Sequence, residues 1–247
     1  MINLKKGFLN GNALKIIAAA TMVIDHIGAV FGALMTPEMF NLFRGIGRLS
    51  FPLFAFLIAE GCRYTKDRRK YFLSLFLLGL ICNVVYYVAM DTLYLCVLTT
   101  FSLSVLLIYS YDGIVNSIKA KDGNLLYNII KLVAVISAAV LASVLCDKLG
   151  GMFDYGIPGV VFPLLAYVIK NKWLKLIPIA LGMIGLCLNY APFSWGFNLQ
   201  LLGFISLVLI ALYNGERGKC NLKNFFYLFY PIHLLLLEGL YILYSVL

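Results

Sequence analysis

Long runs of apolar residues fill most of this chain, and only short polar segments separate them. A helix that crosses a bilayer needs about 20 predominantly apolar residues. Nine runs approach that length, at residues 13–35, 45–62, 72–90, 94–111, 126–146, 154–170, 174–190, 198–213 and 225–246. The pattern predicts an all-α fold, a polytopic transmembrane bundle of about nine helices that forms a single domain over residues 1–247.

Composition supports a membrane location. Of the 247 residues, 62% are apolar and 13% are charged, and the mean hydropathy is +0.93. A soluble domain is about half apolar and about a quarter charged. The net charge of +9 does not indicate a nucleic-acid partner, because the basic residues lie in the short segments between apolar runs.

The distribution of lysine and arginine predicts the orientation. With the N-terminus on the cytoplasmic side, 17 of the 20 basic residues lie inside, and only Arg44, Arg48 and Lys148 lie outside. Nine crossings then put the C-terminus outside. A missed helix would invert the later loops, so this bias supports the number of crossings as well as their direction. The first run is too long for a signal-peptide core, and we interpret it as a retained helix.

The sequence lacks the motifs of several common catalytic, nucleotide-binding and metal-binding sites. The six cysteines are scattered through apolar runs without CxxC or zinc-ligand spacing, so we expect neither a disulfide framework nor a metal site. Walker A, HExxH and GxSxG motifs are absent, and no GxGxxG follows a strand pattern.

Polar residues within the apolar runs are the main functional signal. A charge in the bilayer core costs at least about 2.5–3.5 kcal/mol, so such side chains usually face the bundle interior and mark a site or pathway. The first, second and ninth predicted helices carry Asp25, His26, Arg48, Glu60, His233 and Glu238. We expect these three helices to line one polar cavity.

Depth and helical phase separate the two polar neighbours of the first helix. Asp25 and His26 lie near the bilayer midplane at about 1.5 Å of rise per residue, and Arg48 lies only slightly further out. Asp25 shares a face with Gly28 and Gly32, a GxxxG spacing that allows another helix to approach closely. The sequence therefore predicts a structural pair of Asp25 with Arg48, and a His26 side chain turned about 100° away toward a cavity.

The other polar residues also have structural interpretations, and Glu238 could serve only as a partner for a neighbouring helix. Glu60 is a candidate substrate-binding residue, but it also stands three residues before Arg63 and is suited to pair with it. His233 follows Pro231, whose missing N–H frees a backbone carbonyl. The structural interpretation of His233 is that its imidazole is the hydrogen-bond partner of this carbonyl. Counting rise per residue places His233 in the inner half of the membrane and Glu238 close to the level of His26.

The segment "CRYTKDRRKY", residues 62–71, is the densest basic patch. It is either an anchor for anionic lipid or a site for a phosphorylated ligand. The candidate ligand-binding side chains are Arg63, Tyr64, Lys66, Arg68 and Arg69.

The chain resembles the TraX family. The resemblance rests on "LKIIAAATMVIDHIGAVF", "RGIGRLSFPLFAFLIAEGCRYTKDRRKYFLSL", "LYNGERG" and "FFYLFYPIHLLLL". It covers most of the chain and is densest in the first 80 and last 40 residues. TraX-like proteins are associated with N-acetylation of pilin, and they resemble membrane acyltransferases that take an acyl group from cytosolic acyl-CoA. The resemblance implies a protein of the bacterial inner membrane with acetyl-CoA as co-substrate and no metal.

The resemblance also implies a histidine as general base. Its "DHIG" element maps this role onto His26, with His233 as the competing assignment. Asp25, Arg48 or His233 would tune the base or hold the thioester carbonyl, and Glu238 is a further candidate for the substrate site. The acceptor stays open between a pilin or other peptide N-terminus, an amino sugar and a cell-wall polymer, as does assembly into a homo-oligomer.

Two other functions remain open from the sequence. The first is a proton-coupled transporter, in which Asp25, His26, His233 and Glu238 form a relay. The second is a non-catalytic membrane assembly factor, whose polar residues would tolerate substitution. A transporter needs no phosphate site, whereas an enzyme that uses acyl-CoA does.

Overall fold

The computed structural model of the protein describes residues 7–121, 123–190, 198–220 and 222–246. Its α-helices are α1 (Gly11–Phe31), α2 (Pro37–Gly47), α3 (Ser50–Tyr64), α4 (Arg68–Met90), α5 (Val97–Ala120), α6 (Leu125–Lys148), α7 (Gly156–Val168), α8 (Leu176–Tyr190), α9 (Ile205–Ala211) and α10 (Lys223–Val246). Short 3₁₀ helices follow α1 (Gly32–Leu34) and precede α9 (Leu199–Phe204). The predicted all-α fold is confirmed.

The predicted membrane segments coincide with apolar helices. Among the described residues, six helical segments are long and apolar enough to cross a membrane: Gly11–Leu34, Pro37–Tyr64, Arg68–Val88, Val97–Ala120, Leu125–Lys148 and Phe225–Ser245. Three shorter apolar helices lie at the other predicted positions, at Gly156–Val168, Leu176–Asn189 and Leu199–Ala211. In the described part of the chain, six of the predicted crossings therefore coincide with helices of sufficient length, and nine crossings stay a prediction.

The segment before the second predicted span is a helix, where a connecting loop was expected. Pro37 occupies the first turn of α2, and the Thr36 hydroxyl caps the helix by accepting a hydrogen bond from the Met39 N–H at 3.3 Å. Proline in the first turn and threonine at the cap are both favourable at a helix N-terminus. This helix places Arg44 one turn before Arg48.

The helical contacts divide the chain into two compact units. The first combines the described parts of residues 1–57 and 183–247, and the second comprises those of 58–182. In the first unit α1 packs against both α2 and α10. Its core contains the fully buried Leu14, Leu53 and Phe56, and the Phe56 ring meets Tyr213 edge-on at 5.4 Å.

The glycines of α1 allow α2 to approach. A Cβ on Gly28 would lie 2.9 Å from the Phe43 Cβ, and one on Gly32 would lie 2.8 Å from the Phe40 ring. Both distances are too short for a real side chain, so α2 occupies the space that a larger residue would need. The close helix approach predicted from the GxxxG spacing is confirmed, with α2 as the partner.

Helices α1 and α10 run in the same direction. His26 contacts His233, and further along both helices Phe31 meets Tyr241 edge-on with ring centroids 5.9 Å apart. Residue numbers therefore increase together along the shared contact. The first and last helices of a bundle are parallel when the number of crossings is odd, so this direction agrees with the predicted topology.

The loop that contains "LYNGERG" holds the start of α1. The N–H groups of Gly11 and Asn12 donate to the carbonyls of Glu216 and Arg217 at 2.7 and 3.0 Å. The first N–H groups of a helix lack partners within the helix, and this loop supplies them. Gly218 adopts φ +93°, in the left-handed region that favours glycine, and a Cβ there would meet the Asn12 side chain.

In the second unit, α5 packs against α4, α6 and α7. Val105 and Ile108 of α5 are fully buried, and Leu107 packs with Ala139 and Val160 from α6 and α7. Two-residue parallel strands, β1 (Tyr94–Leu95) and β2 (Met152–Phe153), pair beside these helices. The six cysteines carry free thiols.

Candidate active site

Asp25 of α1 forms ion pairs with two arginines. The Arg48 Nη2 lies 2.6 Å from Asp25 Oδ1, and the Arg44 Nη1 lies 2.8 Å from Oδ2. The Arg44 Nη1 also donates to the Asp25 backbone carbonyl at 3.2 Å. A Cβ on Gly47 would overlap the Asp25 side chain, so glycine at that position permits the contact. The predicted Asp25–Arg48 pair is confirmed, and Arg44 is an additional member.

The two histidines of the chain are in direct contact. The Nδ1 of His26 and the Nε2 of His233 are 2.8 Å apart, which is a hydrogen-bond distance, and their ring centroids are 5.0 Å apart. The Nδ1 of His233 lies 2.8 Å from the backbone carbonyl oxygen of Phe229, one turn earlier in α10. We call His26 and His233 the histidine pair. Both members were predicted as site residues, but their contact was not.

Aromatic rings hold the His233 side chain in place. The Phe229 ring stacks on the His233 ring with centroids 5.1 Å apart and planes 13° apart. Tyr230 meets the same imidazole edge-on at 5.7 Å. Only 6% of the surface of His233 is exposed. The ring is therefore fixed by packing as well as by hydrogen bonds, which suits a group that orients another side chain.

The depth estimate for α10 was wrong. His233, which was placed in the inner half, lies level with His26, whereas Glu238 was expected there. Counting rise per residue assumes helices that are untilted and begin at the same level, and α10 contains Pro231 in its first half. Among the described residues, the Glu238 side chain has no hydrogen-bond or ion-pair partner.

His26 and Asp25 serve different contacts although they are adjacent in sequence. The Asp25 carboxylate is bound by Arg44 and Arg48, and the His26 ring is bonded to α10. Successive side chains of a helix diverge by about 100°, as the phase of α1 predicted.

The Pro231 interpretation of His233 is not supported, because His233 bonds the carbonyl of Phe229 rather than that of Tyr227, four residues before the proline.

A second polar cluster lies within residues 58–182. Glu60 accepts a hydrogen bond from Arg63 at 2.9 Å and lies 3.4 Å from Lys175 Nζ. The Arg63 Nη2 also donates to carbonyls at the C-terminal end of α7, those of Ala166 and Tyr167, and to that of Ile169, which follows the helix. A cation at the C-terminal end of a helix interacts favourably with its unpaired carbonyls. The alternative of a Glu60–Arg63 pair is the one that the structure shows.

Arg68 belongs to a neighbouring network. Its guanidinium lies 2.7 Å from Asp112 of α5 and 4.8 Å from the centre of the Tyr109 ring. The hydroxyl of Tyr167 donates to the same carboxylate, with its oxygen 2.8 and 2.9 Å from the two carboxylate oxygens. The network joins the start of α4 to α5 and α7.

The remaining candidates of the 62–71 segment are exposed. Tyr64 has 69% of its surface accessible, and Lys66 and Arg69 are exposed as well. Within the described part of the chain, neither Lys66 nor Arg69 forms an ion pair. Arg63 and Arg68 have protein partners, so Tyr64, Lys66 and Arg69 are the members of the predicted set that stand open to a ligand.

Comparison with known proteins identifies the family. The profile of the family described as "TraX protein" matches residues 10–241, which is most of the chain. The chain belongs to the TraX family. Its histidine pair, its Asp25 cluster and both polar networks of residues 58–182 lie within the matched TraX region. The family is linked to pilin acetylation or fimbrial assembly.

A curated relative supports the same assignment. The chain is 26% identical over 235 residues to the "Probable fimbrial assembly protein FimC" of Dichelobacter nodosus. The alignment covers 91% of this TraX chain and 92% of the relative. No solved structure matches the chain.

Sequence reasoning missed several polar residues of this TraX protein. Arg44 was placed in a loop, although its spacing of four residues from Arg48 is typical of one helix face. Asp112 is the single acidic residue of the apolar helix α5, which indicates that its carboxylate has a cationic or hydrogen-bonding partner, but its segment was treated as generic. Lys175 was counted only as an inside charge, and Tyr167 carried no signal because tyrosine is common at the ends of membrane helices.

Proposed function

We propose that this TraX protein is a membrane acetyltransferase that uses His26 as general base. The observation that carries the proposal is the contact between His26 and His233, which orients an imidazole within an apolar helix bundle. General bases are held in this manner by a hydrogen bond from the ring nitrogen that does not react. Membership in a family linked to pilin acetylation supports the same reaction class.

The reaction transfers an acetyl group from acetyl-CoA to an amine or hydroxyl. The acceptor's nitrogen or oxygen forms a bond to the acetyl carbon while its proton moves to His26. The carbon–sulfur bond then breaks, its electron pair stays on sulfur, and the CoA thiolate takes up a proton. The fimbrial assembly role named for the relative favours a fimbrial subunit as the acceptor.

Binding of the donor is assigned to the exposed part of the 62–71 segment. The phosphate groups of CoA are polyanionic, and Lys66 and Arg69 are exposed cations without an ion-pair partner among the described residues. Arg63 and Arg68 have a different proposed role, since their ion pairs with Glu60 and Asp112 hold the polar networks together.

The contacts favour the transferase over a proton-coupled transporter. A relay must pass a proton onward. The Nδ1 of His233 is hydrogen-bonded to the Phe229 carbonyl, which accepts hydrogen bonds but does not take up protons at physiological pH. Asp25 is bound by two arginines, and Glu238 has no hydrogen-bond or ion-pair partner within the described residues. The relay that such a transporter would need therefore has no continuous chain of hydrogen bonds within the described residues.

The direct test is acetyl transfer by the purified full-length protein in detergent. It should consume acetyl-CoA with at least one acceptor from a panel of a fimbrial-subunit peptide with a free N-terminus, an amino sugar and a cell-wall fragment. His26→Ala should lower the rate by about 10²–10⁴-fold, the usual contribution of a general base. Lys148→Ala, an exposed substitution, is the matched control and should leave the rate unchanged.

Two outcomes would contradict the proposal. One is the absence of both binding and consumption of acetyl-CoA with every acceptor of the panel. The other is full activity of His26→Ala in a preparation whose thermal unfolding matches the parent protein.

A further inference from the structure

Three of the four ring nitrogens in the histidine pair are occupied by hydrogen bonds. The Nδ1 of His233 faces the Phe229 carbonyl at 2.8 Å, and since a carbonyl only accepts, this nitrogen carries a proton. The His26 Nδ1 and the His233 Nε2 are 2.8 Å apart and share one proton between them. The fourth nitrogen, Nε2 of His26, has no hydrogen-bond partner among the described residues.

This arrangement leaves only one nitrogen of the pair open to take up an additional proton. In the neutral pair, His233 holds a proton on Nδ1, and His26 donates its Nδ1 proton to the bare Nε2 of His233. An added proton can bind only at Nε2 of His26, because every other position is already filled. The bridging proton then moves toward His233, so that both rings share the positive charge.

We propose that His233 is a positioning residue that makes Nε2 of His26 the single atom for uptake and release of the substrate proton. This inference rests on the proposed acetyl transfer. Nε2 takes the proton from the acceptor's nitrogen or oxygen as the bond to the acetyl carbon forms. It returns the same proton to the CoA sulfur after the carbon–sulfur bond breaks. His26 is thus the base in the first half of the reaction and the acid in the second.

The backbone of α10 supports this role. The Phe229 carbonyl fixes the tautomer of His233, and the stacked Phe229 ring limits rotation of the imidazole. The carbonyl cannot pass the proton further along α10. The proton that Nε2 takes up must therefore leave from Nε2.

Two substitutions of His233 separate positioning from a merely structural role. The amide oxygen of glutamine takes the place of the imidazole Nε2 and can accept from His26. The amide NH₂ of asparagine takes the place of Nδ1 and can donate only to the Phe229 carbonyl. His233→Asn should lower kcat by about 10²-fold or more, whereas His233→Gln should stay within about tenfold of the parent enzyme. The reverse order would assign His233 to the support of the α10 backbone and overturn the inference.

The tautomers are measured without any acetyl transfer. The chain has two histidines, so the protein with labelled histidine and an affinity tag that lacks histidine gives nuclear magnetic resonance signals from two rings only. At mildly alkaline pH both rings should carry their proton on Nδ1. In His233→Asn, His26 should lose this preference, and in His233→Gln it should keep it.

The outcomes for the two proposals are distinguishable. If the parent protein transfers acetyl groups but His26 carries its proton on Nε2, the inference on His233 is wrong and the acetyltransferase stands. If both rings carry the proton on Nδ1 but no acetyl transfer occurs, the proposed function is wrong, and with it the catalytic use of this hydrogen-bonded pair.

Discussion

Removal of the Asp25 charge should destabilise the protein strongly. The side chains of Asp25 and Arg48 are only 14% and 11% exposed, and Arg44 is 26% exposed. Taking one partner from a buried ion pair leaves an uncompensated charge and costs about 3–5 kcal/mol. Asp25→Asn preserves the shape of the side chain and one acceptor for Arg48, so we expect the lower end, about 3 kcal/mol of unfolding free energy.

The two arginines should couple to Asp25 unequally. In double-mutant cycles Arg48→Met should show a coupling energy with Asp25→Asn of about 1–3 kcal/mol. Arg44→Met should couple by less than about 1 kcal/mol, since its more exposed guanidinium retains contact with water. The triple variant Asp25→Leu, Arg44→Met and Arg48→Met should recover most of the stability, because it removes all three charges together.

Stability is measured by unfolding the detergent-solubilised protein with increasing mole fractions of sodium dodecyl sulfate, followed by far-ultraviolet circular dichroism. The reasoning is refuted if Asp25→Asn unfolds within about 0.5 kcal/mol of the parent, the range of ordinary surface substitutions. It is also refuted if the triple variant is no more stable than Asp25→Asn.

Two further predictions concern helix packing and donor binding. Gly28→Ala places a Cβ 2.9 Å from the Phe43 Cβ and should cost about 1–3 kcal/mol of unfolding free energy. Gly185→Ala should be neutral or stabilising, because a Cβ there would have no atom within 4 Å apart from its own chain neighbours and helix backbone. Equal unfolding curves for the two variants would contradict this prediction. Lys66→Glu and Arg69→Glu should each raise the KM for acetyl-CoA about tenfold, or about 1.4 kcal/mol, and leave kcat unchanged. Lys148→Glu is the charge-matched control, and an equal rise in KM there would show that the effect is not specific.

Helical phase predicted one half of the candidate site. A residue's direction on a helix follows from its position in the sequence, so the spacing of Asp25 with Gly28 and Gly32 was sufficient to assign it to a packed face. The partner followed from charge, because a buried acid needs a cation at similar depth and Arg48 stood in the adjacent helix. Local geometry and electrostatics were both readable from sequence.

The contact between the histidines was not predictable in the same way. It joins residues at opposite ends of the chain, and its register depends on the tilt and starting level of α1 and α10. These quantities are set by packing against other helices and are not encoded in either helix alone. An error of about one and a half turns was enough to replace His233 by Glu238 as the expected neighbour of His26.

The polar networks of residues 58–182 show a similar limit. The Glu60–Arg63 pair is local, with a separation of three residues, and it was among the predicted alternatives. Lys175 and Asp112 join through contacts with residues far away in sequence. Contacts between residues a few positions apart were predictable because the geometry of one helix fixes them. Contacts between residues far apart in sequence depend on how several helices are arranged, which the sequence of one helix does not determine.

The first unit is discontinuous in sequence, and this has a consequence for biosynthesis. Helix α10 leaves the ribosome only after all of residues 58–182 have been made. Until then His26 lies in a nascent chain without its partner, and the α1 surface that faces α10 stays uncovered. Closing a contact across so long a stretch of chain is slow, because its entropic cost precedes the stabilising contacts. The histidine pair is therefore completed last, and an incompletely synthesised chain holds His26 without the hydrogen bond to α10 that orients its ring.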